Sequence, residues 1–151
     1  MSKKILVAGG GGFIGGHLAK TLVNRGHEVR VVDVKPLDQW YQKIEGADNI
    51  VANLEEKEAC YSASEGCDEV YNLACNMGGM GFIENNKALC MLSILINTHL
   101  LMAAKEFNIK KYLYSSSACV YAADKQTETE IMALKETDAY PAMPEDGYGW
   151  E

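Results

Sequence analysis

Hydrophobic and polar positions follow one another along this chain in two rhythms. Short runs rich in valine, isoleucine and leucine read as strands: KILVAG (4–9), EVRVVDV (28–34), NIVANL (49–54), EVYNLAC (69–75) and KKYLYSSS (110–117). Between them the apolar residues recur every three or four positions. Ile14, Leu18 and Leu22 form such a stripe from Phe13 to Arg25, with Gly26 as the stop. A short helix follows around residues 57–65. A long helix over residues 84–107 is expected to line one face with Leu89, Leu92, Ile96, Leu100 and Ala103. Strands alternating with helices are the pattern of βαβ units, so the expected fold is α/β: a Rossmann-type doubly wound parallel sheet with helices on both faces. Residues 35–48 read as irregular, and residues 120–147 as a long loop bearing Pro141 and Pro144.

Composition narrows the partners. With 14 basic and 21 acidic residues the net charge is −7, and no basic cluster is present to neutralise phosphates, so nucleic acid is not an expected partner. The longest apolar stretch, ALCMLSILINTHLLMAA, is interrupted by Ser93, Asn97, Thr98 and His99, which predicts a core helix rather than a membrane span. Five cysteines without a C-x-x-C pair suggest neither a disulfide framework nor a zinc site, and predict a reducing, cytoplasmic setting. His17, His27 and His99 lack ligand spacing and read as structural.

Chemistry enters at AGGGGFIGG, where Gly9, Gly12 and Gly15 stand between the first strand and the first helix. Such glycines permit a tight turn and let a pyrophosphate approach the helix N-terminus. Asp33, ending the second strand, suits hydroxyls of an adenosine ribose and repels a 2'-phosphate, which favours NAD over NADP; Lys35 nearby is the opposing signal. The three-residue glycine spacing resembles that of the short-chain dehydrogenase/reductase enzymes. SSSACVY (115–121), followed by YGWE (148–151), is similar to the serine and tyrosine motifs of the extended branch of that family. If the fifth strand runs on past Ser117, Ser117 and Cys119 fall on one side of it.

NMGGMGFIENN (76–86), SSSACVY and KETDAYPAMPEDGYG (135–149) resemble, within that branch, the GDP-mannose 3,5-epimerase group, along nearly the whole chain from Ile5 onward. The resemblance implies that Gly9, Gly12, Phe13, Ile14, Gly15, Asp33, Asn53, Leu54, Leu73, Ala74 and Tyr148 hold NAD, and that Gly78, Ser117, Ala118 and Cys119 touch a nucleotide sugar of the GDP-mannose type. It implies catalytic roles for Tyr148, Ser117 and Cys119: proton exchange at the C4 hydroxyl, a hydrogen bond to it, and removal of a C3 or C5 proton acidified by a transient 4-keto group. A tyrosine titrates near 10 unless a cation lowers it, and the family's lysine would fall immediately after Glu151. The expectation is therefore the NAD-binding portion of a longer, homodimeric enzyme, inactive by itself, with the sugar-binding domain elsewhere. Asn53 stands where the family usually has aspartate, Cys75 and Asn76 replace its usual Ala-Asp, and Ser93 or Asn97 stands where an asparagine is expected. The alternatives are another nucleotide-sugar epimerase or dehydratase, or a free-standing nucleotide-binding module without chemistry.

Overall fold

The computed structural model describes residues 2–76, 78–126, 133–144 and 147–150. Two compact units divide the chain, the first made of residues 1–75 and 93–115, the second of residues 76–92 and 116–151.

The first unit is a parallel sheet of β1 (Lys4–Ala8), β2 (Glu28–Asp33), β3 (Asp48–Val51), β4 (Glu69–Asn72) and β5 (Lys111–Tyr114), in the order β3-β2-β1-β4-β5. Helices α1 (Phe13–Asn24), α2 (Lys57–Ser64) and α5 (Ser93–Glu106) pack on it. The one-residue alternation of a strand explains why both faces are covered. Ile5 and Val7 join Val29, Val31, Ala19 and Leu22 in one cluster. Leu6 and Ala8 point the other way, to Val32, Val70, Cys60, Ala63, Ile96 and Leu100. Each such buried aliphatic side chain contributes about 1.5–3 kcal/mol relative to exposure.

Strand order reverses between β1 and β4, which opens the crevice at their carboxyl ends where ligands of such sheets bind. At the opposite end of the sheet Glu69 is buried, with Lys3 as its ion pair and the Tyr71 hydroxyl donating to it at 3.2 Å. The Lys3 hydrogen bond holds that carboxyl below the usual carboxylate range. Its stabilisation is therefore present above the unfolded-state value and is lost as pH falls through the lowered one.

The second unit carries α3 (Met80–Asn85), α4 (Lys87–Met91), α6 (Gly147–Trp150) and three 3-10 turns, at Ala118–Val120, Ala123–Gln126 and Glu136–Ala139.

Three expectations need correction. The long helix starts earlier and is broken, at Asn86, which takes φ −130° and ψ 38°, and again at Leu92. Leu89 and Leu92 are consequently exposed, and the buried positions are Cys90, Ser93, Ile96, Leu100 and Ala103. By length and a mean hydropathy of 1.5, residues 87–106 could cross a bilayer. Ile96 and Leu100 are nevertheless buried against the sheet, as in a core helix. The fifth strand stops at Tyr114, short of the serines. The expected loop over 120–147 holds two of the 3-10 turns; residues 127–132, 145 and 146 lie outside the described ones.

Candidate active site

At the carboxyl end of β1 the chain turns through Gly9, whose φ of +76° only glycine adopts without strain. A Cβ on Gly9 would lie 2.6 Å from the Leu73 carbonyl oxygen and 2.8 Å from the Ala74 nitrogen. Gly9, Leu73 and Ala74 are thus brought together at the β1–β4 crevice. Gly15 is needed for a second close approach, since a Cβ there would lie 2.4 Å from the Gly9 oxygen. Gly12 caps α1 without a side-chain hydrogen bond, and a Cβ on it would meet only the Gly9 oxygen, at 3.4 Å. The space ahead of α1 is one that a side chain would fill. The first amides of that helix, from Phe13 and Ile14 onward, have no intrahelical acceptor and carry the positive end of the helix dipole. The Phe13 and Ile14 side chains are 60% and 70% exposed, so only their main chain is placed to face an anion.

Asp33 is buried, and its carboxylate accepts from the Gly11 amide at 3.0 Å and the Lys35 amide at 3.1 Å. It therefore ties the glycine loop to the end of β2, a structural duty beside the ribose contact read from the sequence. Residues 35–47, read as irregular, fold over the same loop. Trp40 is buried and donates its indole N–H to the Lys35 carbonyl at 2.7 Å, and the Tyr41 amide donates to Gly11 O at 2.8 Å. Asn53 follows β3, its side-chain oxygen accepting from the Glu55 amide at 3.1 Å. Leu54 is buried in the core, and its carbonyl accepts from the Cys60 thiol at 3.0 Å. Burial pushes that thiol up to about 12, which marks Cys60 as inert packing.

Asn72 is a hub that sequence reasoning missed. Fully buried at the end of β4, it accepts from the Ala74 amide at 3.2 Å, and its carbonyl accepts from the Ser115 amide at 3.3 Å. Its side-chain amide donates to the Tyr112 hydroxyl at 3.3 Å, which donates in turn to Asn97 Oδ1 at 2.8 Å. Burial pushes Tyr112 up to about 12, so the hydroxyl keeps its proton to donate. Asn97, which with Ser93 is read at the position of the family's asparagine, is engaged in this network, and Ser93 is buried.

In the second unit, Ser117 and Cys119 do not share a strand face. Ser117 is extended, with φ −135° and ψ 155°, and its hydroxyl caps the Ala118–Val120 turn by accepting from the Cys119 amide at 3.2 Å. The two residues are still brought together, by that bond instead of by alternation. Among the described residues the Ser117 hydroxyl has no acceptor for its own proton. Ala118 is exposed and Cys119 half-buried. Gly78 packs on Phe82, whose Cβ would be 2.7 Å from a Cβ at Gly78.

Tyr148 lies on α6, and its side chain is outside the described part of the structure. Its neighbour Gly149 is a further residue missed from the sequence. A Cβ there would lie 2.3 Å from the Cys119 oxygen and 2.4 Å from Pro144 Cβ, so the α6 backbone rests on the Cys119 carbonyl. A glycine directly after the motif tyrosine was the available signal.

A model of the NAD dependent epimerase/dehydratase family matches residues 5–149. GDP-mannose 3,5-epimerase of Arabidopsis thaliana is 41% identical over 98% of this chain and 40% of its own length. The chain thus spans less than half of that curated relative. Among solved structures, UDP-N-acetylglucosamine 4-epimerase from Methanobrevibacter ruminantium M1, in complex with UDP-N-acetylmuramic acid, superposes with a TM-score of 0.78 at 26% identity, covering 99% of this chain and 46% of that one. UDP-glucose 4-epimerase from Thermus thermophilus, in complex with NAD, shares the fold with a TM-score of 0.80 at 24% identity over 97% of this chain and 46% of its own.

Proposed function

The chain belongs to the NAD dependent epimerase/dehydratase family, and from that membership we propose that it is the NAD-binding part of a nucleotide-sugar epimerase acting on a GDP-mannose type substrate. The observation that carries the reading is the Ser117 cap on Cys119, in a chain 41% identical to a GDP-mannose 3,5-epimerase. A hydroxyl and a thiol are held there on one capped turn.

The residues present fit NAD. The glycine cradle and the first amides of α1 suit a pyrophosphate, Asp33 and Asn53 suit the adenosine, and Leu73 and Ala74 form the facing wall. When bound, NAD supplies the removal and return of hydride at C4 of the sugar. Ser117 donates a hydrogen bond to the C4 oxygen, and Tyr148 takes the hydroxyl proton as the ketone forms. The 4-keto group acidifies C3 and C5, and the Cys119 thiolate removes a proton there to leave an enolate. A proton returned to the other face, followed by return of the hydride to C4, would give the inverted sugar. The test is incubation with GDP-mannose in D2O of the protein that contains this chain. Deuterium is expected at C3 or C5 of the product; its absence from both positions excludes Cys119 as a base. Product analysis separates this reaction from a dehydratase, which would release a deoxy-keto sugar.

Self-association belongs to the same proposal. Leu95, Leu101 and Met102 are 40–46% exposed on α5, an apolar strip that a second copy would cover. Sedimentation is expected to give a dimer that Met102→Lys dissociates; a wild-type monomer at micromolar concentration would count against it.

A further inference from the structure

The second unit contains a cavity of about 730 Å³ whose lining includes Ser117 and Ala118. That volume is in the range of small-molecule sites. Three other lining residues have no part in the chemistry above: Glu136, Tyr140 and Trp150. Two of them are large aromatics left in solvent, Tyr140 at 77% and Trp150 at 58% exposed. Exposed rings that line a concavity, beside a carboxylate and a hydroxyl, suit a ligand with apolar faces and a hydroxylated rim. A pyranose ring has that construction: its C–H faces stack on aromatic rings and its hydroxyls donate to a carboxylate.

The walls are also held in place. The turn bearing Glu136 is capped by Asp138, which accepts from the Lys135 amide at 2.8 Å and pairs with Lys125 at 3.5 Å. Tyr140 follows at once, its amide donating to the Thr137 carbonyl at 3.3 Å. Trp150 sits on α6, one residue beyond the Gly149 contact with Cys119. Each wall residue is therefore within a short stretch of a fixed backbone contact, which lowers the ordering cost of binding.

We propose that Tyr140, Trp150 and Glu136 form the hexose-reading wall of this site, the two rings stacking on the sugar and Glu136 accepting from its hydroxyls. The proposal rests on the nucleotide-sugar reading above and names the residues that select the sugar. In the protein that contains this chain, Tyr140→Leu and Trp150→Leu are each expected to raise KM for GDP-mannose about tenfold, with NAD affinity unchanged. Tyr140→Phe and Trp150→Phe, which keep a ring, are expected to restore near wild-type KM. Glu136→Gln is expected to shift the ratio of kcat/KM between GDP-mannose and GDP-glucose. GDP-mannose, but not GDP, is expected to change a tryptophan emission that is missing in Trp150→Phe.

Unchanged KM in the leucine variants, with normal wild-type turnover, overturns this proposal alone. A full emission change with GDP also overturns it, because the base and not the sugar would then occupy the wall. A wild-type protein with neither turnover nor emission change overturns the nucleotide-sugar reading and this wall with it. Loss of NAD affinity in the leucine and phenylalanine variants alike would assign the rings to folding, and would overturn the proposal as well.

Discussion

Cys119→Ala is expected to lower epimerisation by about 10²–10⁴-fold while leaving NAD and GDP-mannose affinities near their wild-type values. What fixes the turn is the Cys119 main chain: its amide donates to Ser117 and its carbonyl lies under Gly149. Alanine keeps both groups and removes only the half-buried thiol. Ser117→Ala does the reverse, deleting the cap at a cost of about 1 kcal/mol together with the hydroxyl proposed to bond the C4 oxygen. A comparison of the two by steady-state kinetics and calorimetric titration tells them apart. Cys119→Ala should fall in kcat with both ligands still bound, whereas Ser117→Ala should also lose thermal stability. A Cys119→Ala protein that kept more than a tenth of wild-type turnover would mean that another group takes the proton, and the cysteine would revert to packing.

The sheet and its glycine turn were legible because periodic burial and glycine spacing are local signals. Ile5 and Val7 alternate with Leu6 and Ala8, and that alternation is the two-faced core itself. Gly9, Gly12 and Gly15 stand where a strand must turn into a helix, and Gly9 and Gly15 each have a steric reason in the fold, whereas a Cβ on Gly12 would meet only an ordinary contact. The places that sequence misread are those where a long-range contact decides. Trp40 and Ile44 are single apolar residues in a polar segment, with no period to announce that they cover Gly11 and the core. The apolar run from Leu89 to Ala104 hides a break at Leu92, since an unbroken hydrophobic stretch carries no phase.

At the chemical end, pairing Ser117 with Cys119 from a strand alternation reached the right partners by the wrong geometry. A side-chain cap substituted for the strand, as serine's short hydroxyl allows. The Asn72 hub depends on Tyr112 and Asn97, 40 and 25 residues away, a closure that no window along the sequence can see. The wall formed by Glu136, Tyr140 and Trp150 is a closure of the same kind within the second unit.

Gly15→Ala is expected to lower NAD affinity about 10- to 100-fold and to depress thermal stability, although alanine is the better helix former by about 0.5–1 kcal/mol. The sign is decided by what the new methyl meets. Every close atom is backbone: Gly9 O at 2.4 Å, Gly10 Cα at 2.8 Å and Gly9 C at 3.0 Å. A flexible side chain could swing aside, but here α1 itself must withdraw from the loop, and its N-terminal amides leave the pyrophosphate position with it. Gly26→Ala is the matched control. Gly26 has φ +82° with no atom within 4 Å of a Cβ, so alanine there strains the backbone by about 1–2 kcal/mol and touches nothing. Both variants should lose stability, but only Gly15→Ala should lose NAD, as read by calorimetric titration of the folded proteins. Equal NAD affinity in the two would show that the glycine loop serves the fold alone, and the pyrophosphate site would have to be sought elsewhere along the β1–β4 crevice.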